Sequence, residues 1–233
     1  MSRRSKTARL LPIDDVGGAI GATIVTPGYE ALAFEAVKHF KAATGLDTVM
    51  LFSDSMGYFK KLDLPELLAP KTIIFYDSDL LMVRSWDAGA FLGTPYFWGV
   101  PDPSAHRPEC FPGADCISEG LDPDAYINTG LMIWNNALPS HREVFTKARE
   151  EYNASLALPA VRLVDVTEQG WLNLALLSAP RRFLPLAFNY FFWLEKSEIA
   201  PPPCPIIGLH AAGYPLSEKL EHLHSTLRTL RNV

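Results

Sequence analysis

The apolar positions set the outline of the chain. AIGATIVT (19–26) is an unbroken run of small and branched apolar residues that stops at Pro27-Gly28, the pattern of a buried strand and its terminating turn. In YEALAFEAVKHFKAATG (29–45), Leu32, Ala36, Val37 and Phe40 recur at helical spacing and Gly45 supplies a stop, which predicts a helix. DTVMLFSDS (47–55) predicts a second strand ending in polar Ser53, Asp54 and Ser55; LPELLAP (64–70) predicts a short helix and TIIFY (72–76) a third strand. Strand and helix in alternation imply an α/β fold, a parallel sheet covered by helices. Ligands in such folds collect beyond the carboxyl ends of the strands. Thr26, Asp54, Asp77 and Asp79 all fall at such ends.

The second half is less regular. Residues 99–125 carry Pro, Gly, Asp and two Cys, which predicts a long loop over the site rather than a linker. YINTGLMIW (126–134) predicts a strand that begins with polar residues, and EQGWLNLALL (168–177) a helix whose acidic first turn suits an N-terminus. APPPCP (200–205) forces an extended stretch before IIGL, with His210, Gly213 and Pro215 following. In SEKLEHLHSTLRTLRNV (217–233), Leu220, Leu223, Leu227 and Leu230 predict a closing amphipathic helix. His222 and His224 are two apart on it, share no face, and stay outside the site. Residues 1–18, with basic SRRSK at 2–6, read as a flexible arm, and 19–233 as a single domain.

Composition narrows the function more than the fold. A chain of 233 residues with 48% hydrophobic and 20% charged residues can bury a substantial core. A net charge of −5 removes the basic face that non-specific nucleic-acid binding needs. No apolar run approaches the length of a membrane span, and the N-terminus lacks the layout of a signal peptide. The simplest expectation is a cytoplasmic protein. Cys110 and Cys116 share a loop with His106, but His-x3-Cys-x5-Cys is not a zinc spacing, so they read as unligated thiols.

Chemistry concentrates in FYDSDLLMV (75–83). On a strand, Asp77 and Asp79 would share a face, and two carboxylates that close repel unless a cation, a shared proton or bulk solvent intervenes. Oxygen ligands of this kind suit magnesium or manganese bound with a phosphate-bearing substrate, and an added imidazole tilts the set towards manganese. An isolated Asp-x-Asp is more often a solvated turn, and a lone histidine more often a satisfied loop residue. Here the pair follows an apolar strand, and His210 follows another, PIIGL, at a predicted sheet edge.

From Asp77 on, the motif order resembles glycosyltransferase family 8, a retaining, metal-dependent group. FYDSDLLMV resembles its Asp-x-Asp strand, YINTGLMIW its Asn-Ser-Gly segment and EQGWLN its Asp-Gln-x-x-Leu-Asn helix start. FLPLAFNY (183–190) is similar to its Leu-Pro-x-x-x-Asn stretch and LHAAGYP (209–215) to its terminal His-x-x-Gly, and the likeness spans about residues 20–216. The resemblance implies a nucleotide-sugar-binding GT-A fold with a mostly parallel central sheet. It implies Asp77, Asp79 and His210 as ligands of manganese (or magnesium) on the donor diphosphate. Thr26 and Tyr29 would line a uracil pocket, Lys61 would face phosphate, and Lys60 would stay in solvent. Ser78, Asn128, Thr129, Gly130 and Gly213 fall in the nucleotide-sugar-binding motifs. Asp102 would bind donor-sugar hydroxyls, although an Asp between prolines is also a common turn former. Gln169 would lie against the reacting face of the sugar, and Glu168 is the one candidate nucleophile.

Three positions depart from the pattern. Glu168 stands for Asp, Thr129 for Ser, and Leu216 for a lysine that would touch the diphosphate; Lys219, one turn on, is the candidate substitute. The expected activity is transfer of a hexose from a UDP-sugar to a saccharide or other hydroxyl acceptor with retention. Two alternatives stand beside it. One is a binding module of the same fold without turnover. The other is a phosphatase of the haloacid dehalogenase type, whose Asp-x-Asp normally opens the domain and ends in Thr or Val, where this chain has Leu81.

Overall fold

The structure, a computed structural model, describes residues 18–54, 59–106, 120–156, 168–191 and 204–231. The first three expected strands form as β1 (Ala19–Val25), β2 (Thr48–Phe52) and β3 (Thr72–Tyr76), with β1 paired in parallel to both others. Helix α1 (Glu30–Thr44) makes the crossover to β2. It ends at Gly45, whose φ of 75° lets its N–H bond back to the Lys41 carbonyl as a left-handed cap. The expected 64–70 helix is only α2 (Leu64–Leu67), preceded by a 3-10 turn, Phe59–Asp63, that carries Lys61.

Short β4 (Leu80–Met82) follows β3 after a turn. Strands β5 (Phe97–Pro101), β6 (Ile127–Asn135) and β7 (Arg181–Phe183) complete a six-stranded sheet of order β2-β1-β3-β6-β5-β7. β6 runs antiparallel to β3 and β5, while β7 is parallel to β5, so the mostly parallel sheet holds one reversed strand. The reversal has a functional consequence. It carries the polar beginning of β6, Asn128 to Gly130, to the edge where β1 and β3 end. The register of β5 on β6 also jumps between Gly99 and Val100, from Met132 to Asn128. That bulge frees Thr129 and Gly130 from β5 and re-aims them.

All five residues of β3 are buried, as expected of a central strand covered on both faces. Ile73 and Phe75 pack on one side with Trp134, Phe145 and Trp171, and Ile74 and Tyr76 on the other with Leu32, Phe40, Leu209 and Leu223. The first layer comes from α3 (Pro139–Ser155) and α4 (Glu168–Leu176). The second comes from α1, from α5 (Leu216–Arg231) and from a small sheet of order β4-β9-β8, where β8 is Tyr190–Phe191 and β9 is Gly208–His210. Part of the segment expected as a loop, 99–125, is thus the end of β5 and a 3-10 turn, Pro103–His106. Residues 1–17, Cys110 and Cys116 lie outside the described residues. Among those described, no helix is long and apolar enough to cross a membrane.

Candidate active site

Asp77, Ser78 and Asp79 do not alternate along a strand. They form the turn between β3 and β4, closed by the Leu80 N–H on the Asp77 carbonyl at 3.0 Å. The carboxylates converge because the chain turns, and the strand-period expectation is corrected accordingly. The Asp77 N–H donates to the Gly130 carbonyl at 2.8 Å, continuing the β3–β6 ladder into the turn. His210 is the last residue of β9 rather than a residue beyond it, and β9 belongs to the small sheet, where His210 pairs with Leu80. That pairing sets the imidazole beside Asp79, 131 residues away in sequence, with Nε2 3.2 Å from Asp79 Oδ1 and 3.9 Å from Asp77 Oδ2. One ligand atom from each of the three residues falls within 4.8 Å of the others.

A chain of amides fixes which face His210 presents. Asp102 Oδ2 can only accept, so the side-chain amide that meets it at 3.1 Å is Asn128 Nδ2. Asn128 Oδ1 then accepts from the Gly130 N–H at 2.8 Å and from Asn189 Nδ2 at 2.9 Å. Asn189 Oδ1 therefore faces His210, and Nδ1–H donates to it at 2.8 Å. Nε2 is left facing the two aspartates, 3.2 Å from Asp79 Oδ1, so a cation there would meet it in place of a proton; outer hydrogen bonds orient metal-ligating histidines in this way. Gly130 makes room for it: a Cβ there would stand 2.6 Å from His210 Cε1 and 2.7 Å from Asn128 Oδ1.

Each aspartate also has its own lysine. Lys61 Nζ lies 2.9 Å from Asp77 Oδ1 and 2.8 Å from Glu168 Oε1, with both Lys61 (5% exposed) and Glu168 (1%) buried. Burial alone would lower the pKa of Lys61, but Asp77 and Glu168 outweigh it and raise it above the ordinary lysine value. Asp79 Oδ2 accepts from Lys219 Nζ, which reaches in from the first turn of α5. Burial pushes the Asp79 carboxyl upwards, and His210 and Lys219 together overcome this and hold it below the usual carboxylate range.

The groups line a cavity of about 270 Å³ at the expected strand ends. Thr26, Tyr29, Lys61, the Asp77–Asp79 turn, Asn128 to Gly130, Glu168, Gln169, His210, Gly213 and Lys219 are among the residues that line it. Gln169 Oε1 accepts from the Thr129 N–H at 3.0 Å, and Thr129 Oγ1 donates to Glu168 Oε1 at 2.8 Å. Gly213 takes φ 81°, a turn conformation that suits glycine. Asp102 is buried and holds Asn128, Gln169 and the Ser104 N–H rather than lining the cavity. Asp54 is exposed and outside it, and Lys60 pairs with Asp63 at the surface. Leu216 is partly exposed at the start of α5, its Cδ2 close to Gly28. A larger cavity of about 520 Å³ between α1, Arg84 and Leu227 has no carboxylate in its lining, so the chemistry favours the smaller one. Asn189 and Lys219 carry more of the geometry than their sequence context indicated; only the FLPLAFNY motif pointed to the first.

The donor set fits a divalent cation: two carboxylates and an imidazole with Nε2 inward, in a cradle that a side chain at residue 130 would fill. No protein-family model matches the sequence, and no curated protein matches it significantly. Solved structures do resemble it. A galactosyltransferase, LgtC, determined with donor and acceptor sugar analogues, is 14% identical and superposes with a TM-score of 0.62 over 88% of this chain and 95% of its own. The glycosyltransferase GlyE of Streptococcus pneumoniae is 12% identical with a TM-score of 0.56, covering 91% of this chain and 64% of its own. The bifunctional glycosyltransferase WbbM is 13% identical with a TM-score of 0.54, and this chain spans half of its length. The fold is the GT-A type of these glycosyltransferases.

Proposed function

We propose that the chain is a retaining glycosyltransferase that moves a hexose from a UDP-sugar to a saccharide or other hydroxyl acceptor. The observation that carries this reading is the convergence of Asp77, Asp79 and His210 in one cavity that Thr26 and Tyr29 also line. In this reading Asp77, Asp79 and His210 hold manganese or magnesium. The ion supplies charge stabilisation to the diphosphate as it departs. Tyr29 offers a ring to uracil, and Thr26 a hydroxyl and backbone. Asn128, Thr129 and Gly130 face the donor sugar, Gln169 lies towards its reacting carbon, and Asp102 acts from behind by holding Asn128 and Gln169 in place. Glu168, 1% exposed and committed to Lys61 and Thr129, is better suited to anchoring Lys61 than to attacking a sugar. Retention then favours attack by the acceptor from the face the UDP leaves.

The pairing of both aspartates with lysines favours one second reading, a module that binds nucleotide-sugars without turning them over. The phosphatase reading finds no support in a fold shared with glycosyltransferases. A panel of UDP-sugars with manganese, read as UDP release with and without a chelator, tests the proposal. Chelator-sensitive release from at least one sugar is expected. Binding without release would favour the module, and neither binding nor release from any UDP-sugar would refute the UDP-sugar assignment.

A further inference from the structure

Two cations line the cavity, Lys61 and Lys219, and the second is placed unlike the first. Lys219 is 6% exposed, and its ammonium donates to Asp79 Oδ2. The same Nζ stands over the ring of Tyr29 at 5.3 Å. One flexible arm thus touches the proposed metal ligand and the proposed nucleoside wall at once. Both Asp79 oxygens are engaged, Oδ1 with His210 and Oδ2 with Lys219. A divalent ion at Asp79 would meet the ammonium at close range, and like charges there repel. A nucleotide stacked on Tyr29 would displace the same ammonium from the ring, but it would bring a diphosphate into reach. Lysine suits such an exchange, being a point charge on a four-carbon stem with rotatable donors.

Resting on the transferase reading above, we propose that Lys219 is an exchangeable cation. It holds Asp79 while the site has no ion, and it moves to the donor diphosphate when a divalent ion and nucleotide enter together. The cation lost at Leu216 is supplied from one turn further along α5, and metal and donor binding are coupled through a single side chain. Without nucleotide, the metal competes with Lys219 for Asp79. With nucleotide, Lys219 has somewhere better to go, so each ligand tightens the other.

The test is calorimetric titration of the full chain with manganese alone, UDP alone, and UDP in the presence of manganese, for the wild type and Lys219→Met. The variant is expected to bind manganese alone about tenfold more tightly, because the competitor is gone, and to lose about tenfold of the gain in UDP affinity that manganese confers. Leu216→Lys in the Lys219→Met background is expected to restore that gain. Unchanged manganese affinity in Lys219→Met, or an undiminished gain for UDP, overturns the exchange. Should Lys219→Met not fold, Lys219→Gln, which keeps a neutral donor towards Asp79, gives the same readouts. A wild type that binds neither manganese nor UDP overturns the transferase reading itself, whereas a wild type that binds both, with variants indistinguishable from it, overturns the exchange alone.

Discussion

Removal of the Lys61 charge is the sharpest test of how the site is held together. In Lys61→Met the carboxylates of Asp77 and Glu168 lose a common partner at 2.9 Å and 2.8 Å. The Asp77 side chain is 27% exposed and can hydrate, so most of the loss falls on Glu168, which is 1% exposed and has Oε2 without a hydrogen-bond partner. Breaking a buried pair from one side costs about 3–5 kcal/mol. For a chain of this length each kcal/mol moves Tm by about 2–4 °C, so the melting temperature should fall by roughly 6–20 °C. Urea denaturation followed by fluorescence measures the loss. The double variant Lys61→Met/Glu168→Leu should recover most of it, because an apolar pair of similar volume replaces the buried charges at little cost, less about 1 kcal/mol for the lost Thr129 bond. The folded pKa of Lys61 is raised. The wild-type advantage is therefore fully present below the unfolded value of about 10.4 and is lost as pH rises through the folded one. A loss under about 1 kcal/mol in the single variant, or no recovery in the double, would refute the idea that Glu168 depends on Lys61.

Three further outcomes follow from the same geometry. Asn189→Leu removes the acceptor that keeps the proton on His210 Nδ1, so manganese affinity should fall about 10–100-fold; nitrogen NMR of His210 should show the loss of the Nδ1–H hydrogen bond, and an unchanged spectrum would remove Asn189 from this role. Gly130→Ala places a Cβ 2.6 Å from His210 Cε1; the expected result is about 1–3 kcal/mol of lost stability and weakened metal binding, and a variant that titrates with manganese like the wild type would contradict it. His141 is buried and accepts the Asn135 N–H at Nδ1, and burial depresses its pKa. Its contribution is present above the unfolded value of about 6.5 and is lost as pH falls below it, so urea midpoints should drop as pH falls below about 6.5 in the wild type and drop less in His141→Gln.

The legible parts of the fold were those carried by local period. β1, α1, β2 and β3 show as unbroken apolar runs or helical spacing bounded by Gly and Pro, and α4 and α5 as capped or striped segments. β4, β8 and β9 have two or three residues each, too few for a period to register, and the small sheet they form exists only through pairing across distant segments. α3 has His141, Val144, Phe145 and Ala148 buried at helical spacing, but a buried histidine does not count as apolar and the stripe is thin. The direction of β6 is not written in its sequence; only pairing with β3 decides it. The site divides in the same way. Asp77, Asp79, His210 and the Asn128–Gly130 segment were visible as motifs. The turn that joins the aspartates, the amide relay through Asn189 and the reach of Lys219 depend on contacts between elements 21 to 140 residues apart or on backbone that the pattern alone does not specify.

In the proposed reading, Asp77, Asp79 and His210 form a cation site that serves a nucleoside diphosphate. The most direct measurement is calorimetric titration of UDP into the protein with manganese and, separately, with a chelator, repeated for Asp77→Ala. Tight binding is expected with manganese and weak binding with chelator, because without the ion Lys61 and Lys219 stay on the aspartates and leave the diphosphate no partner; the variant is expected to remain folded but gain nothing from the ion. Equal UDP affinity with manganese and with chelator in the wild type would contradict it.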